Sequence, residues 1–123
     1  MQIILDSNIV IYSLQPKNEK FINWLEGHSI YISAITRLEV LGYHRISQKE
    51  IVFAKRYFSN CEEVSIQPSI IEEAISLRQL KSMSLGDSLI AATAKIHKLT
   101  LMTANTRDFR HIENLDLINP LKN

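Results

Sequence analysis

Four carboxylates carry the chemistry open to this sequence: Asp6, Glu39, Asp87 and Asp108. Asp6 closes the apolar run Ile3-Ile4-Leu5 and is followed at once by Ser7 and Asn8. Asp87 opens a helical pattern in which Ile90, Ala91 and Ala94 fall at i+3, i+4 and i+7, so the carboxylate begins the face that carries small residues. Asp108 lies beyond the run Leu99-Thr100-Leu101-Met102, in a polar stretch with Thr103, Asn105 and Thr106. Glu39 borders the apolar stripe Ile35, Leu38 and Leu41, at the top of a polar ladder formed with Ser33 and Thr36. Singly, each has an ordinary explanation. Asp6, Ser7, Asn8 and Asp87 are all good helix caps, and a glutamate beside a buried stripe is usually a solvated flank. Jointly they ask for more. Two carboxylates about 5 Å apart repel by roughly 3 kcal/mol at an effective dielectric of about 20, so a cluster ionised at neutral pH calls for a cation. All-oxygen ligands select a hard divalent ion, Mg²⁺ or Mn²⁺, and such an ion suits phosphodiester hydrolysis.

The elements that would position these groups follow from hydrophobic patterning. The unbroken apolar run at 2–5 predicts a strand buried on both faces, at the centre of a parallel sheet. Ligands of such sheets bind at the carboxyl ends of the strands, where Asp6 would lie. Further strands are predicted at Ile30-Tyr31-Ile32, Val64-Ser65-Ile66, Leu99 to Met102 and Leu115 to Ile118. Helices are predicted between them: from Ile9 to Leu14, from Phe21 to near Gly27, over 34–43 and 47–59, from Pro68 to near Ser82, and from Asp87. Alternation of this kind predicts a three-layer α/β/α sandwich around a mostly parallel sheet of four to five strands. One domain spanning 1–123 fits the length.

Composition narrows the function classes. Hydrophobic residues make up 46% and charged residues 22% of the chain, as in ordinary globular proteins. Formal net charge is +1, from 14 basic and 13 acidic residues, so any nucleic-acid role must rest on local arrangement. No apolar run approaches the roughly 20 residues that cross a bilayer, and no signal peptide is evident; a cytoplasmic protein is expected. The lone Cys61 excludes an internal disulfide, and His28, His44, His97 and His111 lack metal-ligand spacing. Phosphate-binding loops, the dinucleotide fingerprint and the G-x-S-x-G elbow are all absent.

Four short motifs, in order along nearly the whole chain, resemble those of the PIN domain, and within it the VapC-type ribonuclease toxins of prokaryotic toxin–antitoxin pairs. They are Leu5-Asp6-Ser7-Asn8, Ser33 to Thr36 with Glu39 to Gly42, Asp87 to Ala94, and Thr103-x-Asn105-x-x-Asp108-Phe109. The resemblance implies an Mg²⁺- or Mn²⁺-dependent endoribonuclease with Asp6, Glu39, Asp87 and Asp108 as its acidic quartet. It further implies that Asp6 and Asp87 are the principal metal ligands, that Asp108 binds directly or through water, and that Glu39 orients the attacking water or a second ion. Ser7, Asn8, Thr103 and Asn105 would support the carboxylates through hydrogen bonds. A homodimer and a cognate antitoxin are implied as well. Many relatives carry a lysine shortly before the third aspartate, where this chain has Ser82-Met83-Ser84. Arg107 and Arg110 are candidate contacts to an RNA backbone, or simply a solvated face. Two other readings share these residues: a housekeeping RNA-processing or DNA-acting nuclease, and a catalytically silent PIN domain that binds RNA or protein.

Overall fold

The computed structural model describes residues 1–121; the last two residues of the expected 1–123 domain lie outside the described residues. Five strands, β1 (Gln2–Leu5), β2 (Ser29–Ser33), β3 (Glu62–Val64), β4 (Thr100–Met102) and β5 (Leu117–Ile118), form one sheet in the order β3-β2-β1-β4-β5. Every pairing is parallel. The helices are α1 (Ser7–Ser13), α2 (Glu19–Leu25), α3 (Ala34–Leu41), α4 (Gln48–Ser59), α5 (Pro68–Leu80) and α6 (Leu85–His97).

β1 is central because it is apolar on both sides. Ile4 packs into one core with Ile70, Ala74 and Leu77 of α5 and Ile90, Ala91 and Ala94 of α6. Ile3 and Leu5 face the other core, with Ile9 and Val10 of α1, Leu25 of α2, and Ala54, Tyr57 and Phe58 of α4. The sheet is thus the middle of three layers, and period-2 alternation along β1 divides its side chains between the two cores.

Local capping sets where the helices begin. Ser33 accepts a bond from the Ile35 N–H to open α3, Ser47 and Glu50 form a reciprocal capping box on α4, and Pro68 occupies the first turn of α5. α6 begins two residues before Asp87, because the Ser84 hydroxyl accepts the Asp87 N–H at 3.1 Å; Asp87 is therefore a first-turn residue and not the cap. β3 also lies two residues earlier than the apolar triplet Val64-Ser65-Ile66 predicted. It is an edge strand pairing on one side only, with Tyr31 opposite Glu62 and Ser33 opposite Val64, so exposed Glu62 and Glu63 are tolerated there and Glu63 pairs with Arg37 of α3.

Candidate active site

The quartet reaches one edge of the sheet by separate routes. Asp6 follows β1, its N–H donating to the Met102 carbonyl of β4 at 2.9 Å. Glu39 lies in α3, which leaves the end of β2, and Asp108 closes a 3₁₀ turn, Thr106–Asp108, just past β4. Since β1, β2 and β4 run parallel, their carboxyl ends share this edge. Asp87 joins from the first turn of α6, where the helix dipole favours negative charge.

Asp6 is 4% exposed. Its Oδ1 accepts the Ser7 N–H at 2.8 Å and its Oδ2 accepts the Thr103 hydroxyl at 2.7 Å. Asp6 therefore caps α1 and is also held from across the sheet. Burial raises its pKa from 3.8 to about 6; the Thr103 and Ser7 hydrogen bonds pull against that shift, while the charges of Asp87 and Glu39 add to it. Asp87 is raised as well, first by burial and then by Asp108 and Glu39, with Ser84 opposing. Asp87 thus links all four carboxylates electrostatically.

Glu39 is solvent-exposed, yet its carboxylate is fixed in place. Oε1 accepts the Ser7 hydroxyl at 2.7 Å, and the buried Thr36 hydroxyl lies 3.4 Å from the same Ser7 oxygen. The polar ladder of Ser33, Thr36 and Glu39 thus ends on α1. Thr103 accepts the Asn105 N–H at 3.0 Å, which steadies the turn that carries Asp108. Asn105 acts here through its backbone, and its exposed side chain caps nothing. Asn8 Oδ1 is buried with no hydrogen-bond partner among the described residues. Arg107 and Arg110 are exposed on either side of Asp108.

Among the described residues no three His, Cys, Asp or Glu side chains stand close enough together to enclose an ion. The donor set nevertheless fits a hard divalent cation: its charged groups are all oxygen, burial and then neighbouring carboxylates raise the pKa of Asp6 and Asp87, and an unsatisfied amide oxygen lies two residues from Asp6. Two residues went unread in the sequence. Ser84 caps α6 and restrains Asp87, and its signal was the capping-box spacing Ser84-x-x-Asp87. Gly86 is buried against the Glu39 carboxylate, which no local pattern reveals.

The carboxylates line an open edge. Two cavities are lined by none of the four carboxylates: one of 390 Å³ between α2 and α4, and one of 610 Å³ bordered by α5, Ile35 and the start of α6. A family model for the PIN domain matches residues 3–115. Ribonuclease VapC1 of Rickettsia felis is 30% identical, with 96% of each chain covered. Toxin FitB of Neisseria gonorrhoeae is 32% identical over 87% of this chain and 90% of its own. Among solved structures, a toxin–antitoxin complex from Klebsiella pneumoniae superposes with a TM-score of 0.75 at 28% identity, covering 98% of both chains. FitAcB from Neisseria gonorrhoeae gives 0.76 at 26% identity, over 96% of this chain and 97% of that one. With the acidic edge, the parallel sheet and these relatives in agreement, the chain belongs to the PIN domain family, alongside the VapC-type toxin ribonucleases it resembles.

Proposed function

We propose that this chain is a Mg²⁺- or Mn²⁺-dependent endoribonuclease that hydrolyses RNA phosphodiester bonds in the cytoplasm, as the toxin of a toxin–antitoxin pair. The observation that carries the reading is Asp6: a carboxylate almost fully buried, pushed up to about 6, and still surrounded by Asp87 and Glu39. Burying like charges together costs stability unless a cation offsets it. The relatives supply the substrate class and the setting, since they include a ribonuclease and a toxin, and one solved neighbour is a toxin–antitoxin complex.

In this reading Asp6, Asp87 and Asp108 would hold the ion, which when bound would supply a Lewis acid that offsets charge developing on the phosphodiester. The chain does the rest. The Ser7 N–H and the Thr103 hydroxyl hold both Asp6 oxygens, so the carboxylate is oriented before any ligand arrives. Glu39 Oε1 is engaged by Ser7, which leaves Oε2 to accept a proton from an attacking water. Arg107 and Arg110 flank Asp108 at the surface, within reach of RNA phosphates. An open edge suits a polymer that must lie across the site. The partners proposed are a second copy of the chain and an antitoxin; Ile71, Ile75 and Leu85, all exposed beside the cavity next to Asp87, offer apolar surface to the second copy.

The test is thermal unfolding at pH 7.5 in EDTA and then with excess Mn²⁺, for wild type and Asp87→Asn, followed by cleavage of RNA and growth on expression. A metal-induced rise in Tm that the substitution removes, with loss of cleavage and of growth arrest, supports the reading. Cleavage retained by both Asp6→Asn and Asp87→Asn overturns it.

A further inference from the structure

We infer that Gly86 is a positioning residue for Glu39: the side chain missing at 86 is the space in which the Glu39 carboxylate rests against the first turn of α6. Gly86 is buried, and no glycine among the described residues has a positive φ, so backbone conformation does not require glycine here. Helix propensity argues against it, since alanine is the better helix former. What remains is room. A Cβ at 86 would stand 2.7 Å from Glu39 Oε2, 3.0 Å from Oε1 and 3.1 Å from Cδ. All three lie inside the roughly 3.5–4.0 Å at which such atoms pack without strain, and all three belong to one carboxylate.

Oε1 of the same carboxylate also accepts the Ser7 hydroxyl of α1 at 2.7 Å. Glu39 thus meets the first turns of both α1 and α6, the one capped by Asp6 and the other carrying Asp87. A methyl group at 86 would drive it off Ser7. The displaced group is the free end of an exposed side chain, so the fold would accept the change while the site would not. Its functional consequence rests on the nuclease reading above; its geometric content does not.

The experiment compares Gly86→Ala, Glu39→Asp and the double variant. Gly86→Ala is expected to melt in EDTA at or above the wild-type temperature, and its crystal structure to show Glu39 Oε1 out of hydrogen-bonding range of Ser7 Oγ. Mn²⁺-dependent cleavage of a random-sequence RNA pool should fall about 10- to 100-fold in kcat with KM little changed, as displacements near 1 Å do at a working site. Glu39→Asp alone should also lose activity. The double variant should regain part of what Gly86→Ala lost, because a carboxylate one methylene shorter clears the new methyl. An unmoved Glu39, wild-type cleavage by Gly86→Ala, or a double variant that only adds the two losses overturns the inference. If wild type cleaves no RNA while Gly86→Ala still displaces Glu39, the nuclease reading fails and the positioning stands.

Discussion

The two edges of the same parallel sheet are built on opposite terms. At the amino edge, the cavity between α2 and α4 is walled by Ile22, Leu25, Ile30, Phe53, Tyr57 and the half-buried Cys61. The buried Tyr57 hydroxyl nearby donates to Ser13 Oγ at 3.3 Å, which itself donates to the Ile9 carbonyl at 2.7 Å. Burial pushes the Cys61 thiol up to about 11, so it is inert at neutral pH. The buried His28 Nδ1 stands unsatisfied in that wall. At the carboxyl edge the same strands end in a buried carboxylate among others of like charge. A chain selected for stability alone would treat both edges like the first. Like charges held together at the carboxyl edge support the proposal that this edge is the functional one.

The largest effect should come from removing that charge. Asp6→Asn keeps the side chain's shape and is expected to lower RNA cleavage by more than about 100-fold, the scale on which a single active-site group acts. The same variant should gain stability in EDTA. Asp6 has a folded pKa above its unfolded one, so its contribution is present below about pH 4 and is lost as pH rises through about 6. At pH 7.5 the ionised group therefore disfavours folding, by roughly 3 kcal/mol for a pKa raised from 3.8 to about 6. Urea unfolding of both proteins at pH 4 and pH 7.5 measures this directly. An Asp6→Asn protein less stable than wild type at pH 7.5 would mean that the carboxyl edge is not under strain.

The amino edge should answer in the reverse sense. Leu25 is 5% exposed in the core beneath α1 and α4. Leu25→Ala should cost about 2–4 kcal/mol through lost burial and an enlarged cavity, with cleavage per folded molecule unchanged. Paired denaturation and single-turnover assays check it. Equal loss of activity would couple the two edges and remove the contrast.

Legibility in the sequence differs from element to element. The unbroken run at β1 and the strand–helix alternation are readable, and with them the strand ends near which the four carboxylates fall, because burial on both faces and parallel connection leave a pattern in one dimension. β3 is not, because an edge strand is specified by its partner β2 and need not be apolar itself. The sequence leaves the cap of α6 open between Ser84 and Asp87, because aspartate caps as well as serine does, and the hydrogen bond to Ser84 decides between them. The Ser7–Glu39 bond joins residues 32 positions apart, and Gly86 owes its identity to a side chain 47 positions before it; neither leaves a local trace.

Metal should sharpen the contrast next, with a somewhat smaller effect. At about 100-fold excess over its Kd, an ion that binds only the folded chain adds roughly 2.7 kcal/mol. That gain should be present above pH 6 and fade below it as Asp6 takes up its proton. Unfolding in Mn²⁺ across pH 5 to 8 measures it. A gain that does not change with pH would place the ion away from Asp6, and one retained by Asp6→Asn would do the same.

The smallest effect concerns the surface around the site. Arg107 and Arg110 are exposed beside Asp108, whereas Arg56 lines the cavity at the amino edge. If RNA lies along the acidic edge, each arginine there that neutralises a phosphate contributes about 0.7 to the slope of log affinity against log salt for a single strand. Binding of a random-sequence RNA pool, measured in the Asp6→Asn background so that the probe survives, should weaken a few-fold in Arg107→Ala or Arg110→Ala, with a correspondingly shallower slope. Arg56→Ala should leave both quantities alone. Equal slopes in all three variants would make the arginines beside Asp108 a solvated face, and the path of the RNA would then have to be drawn from other residues of the carboxyl edge.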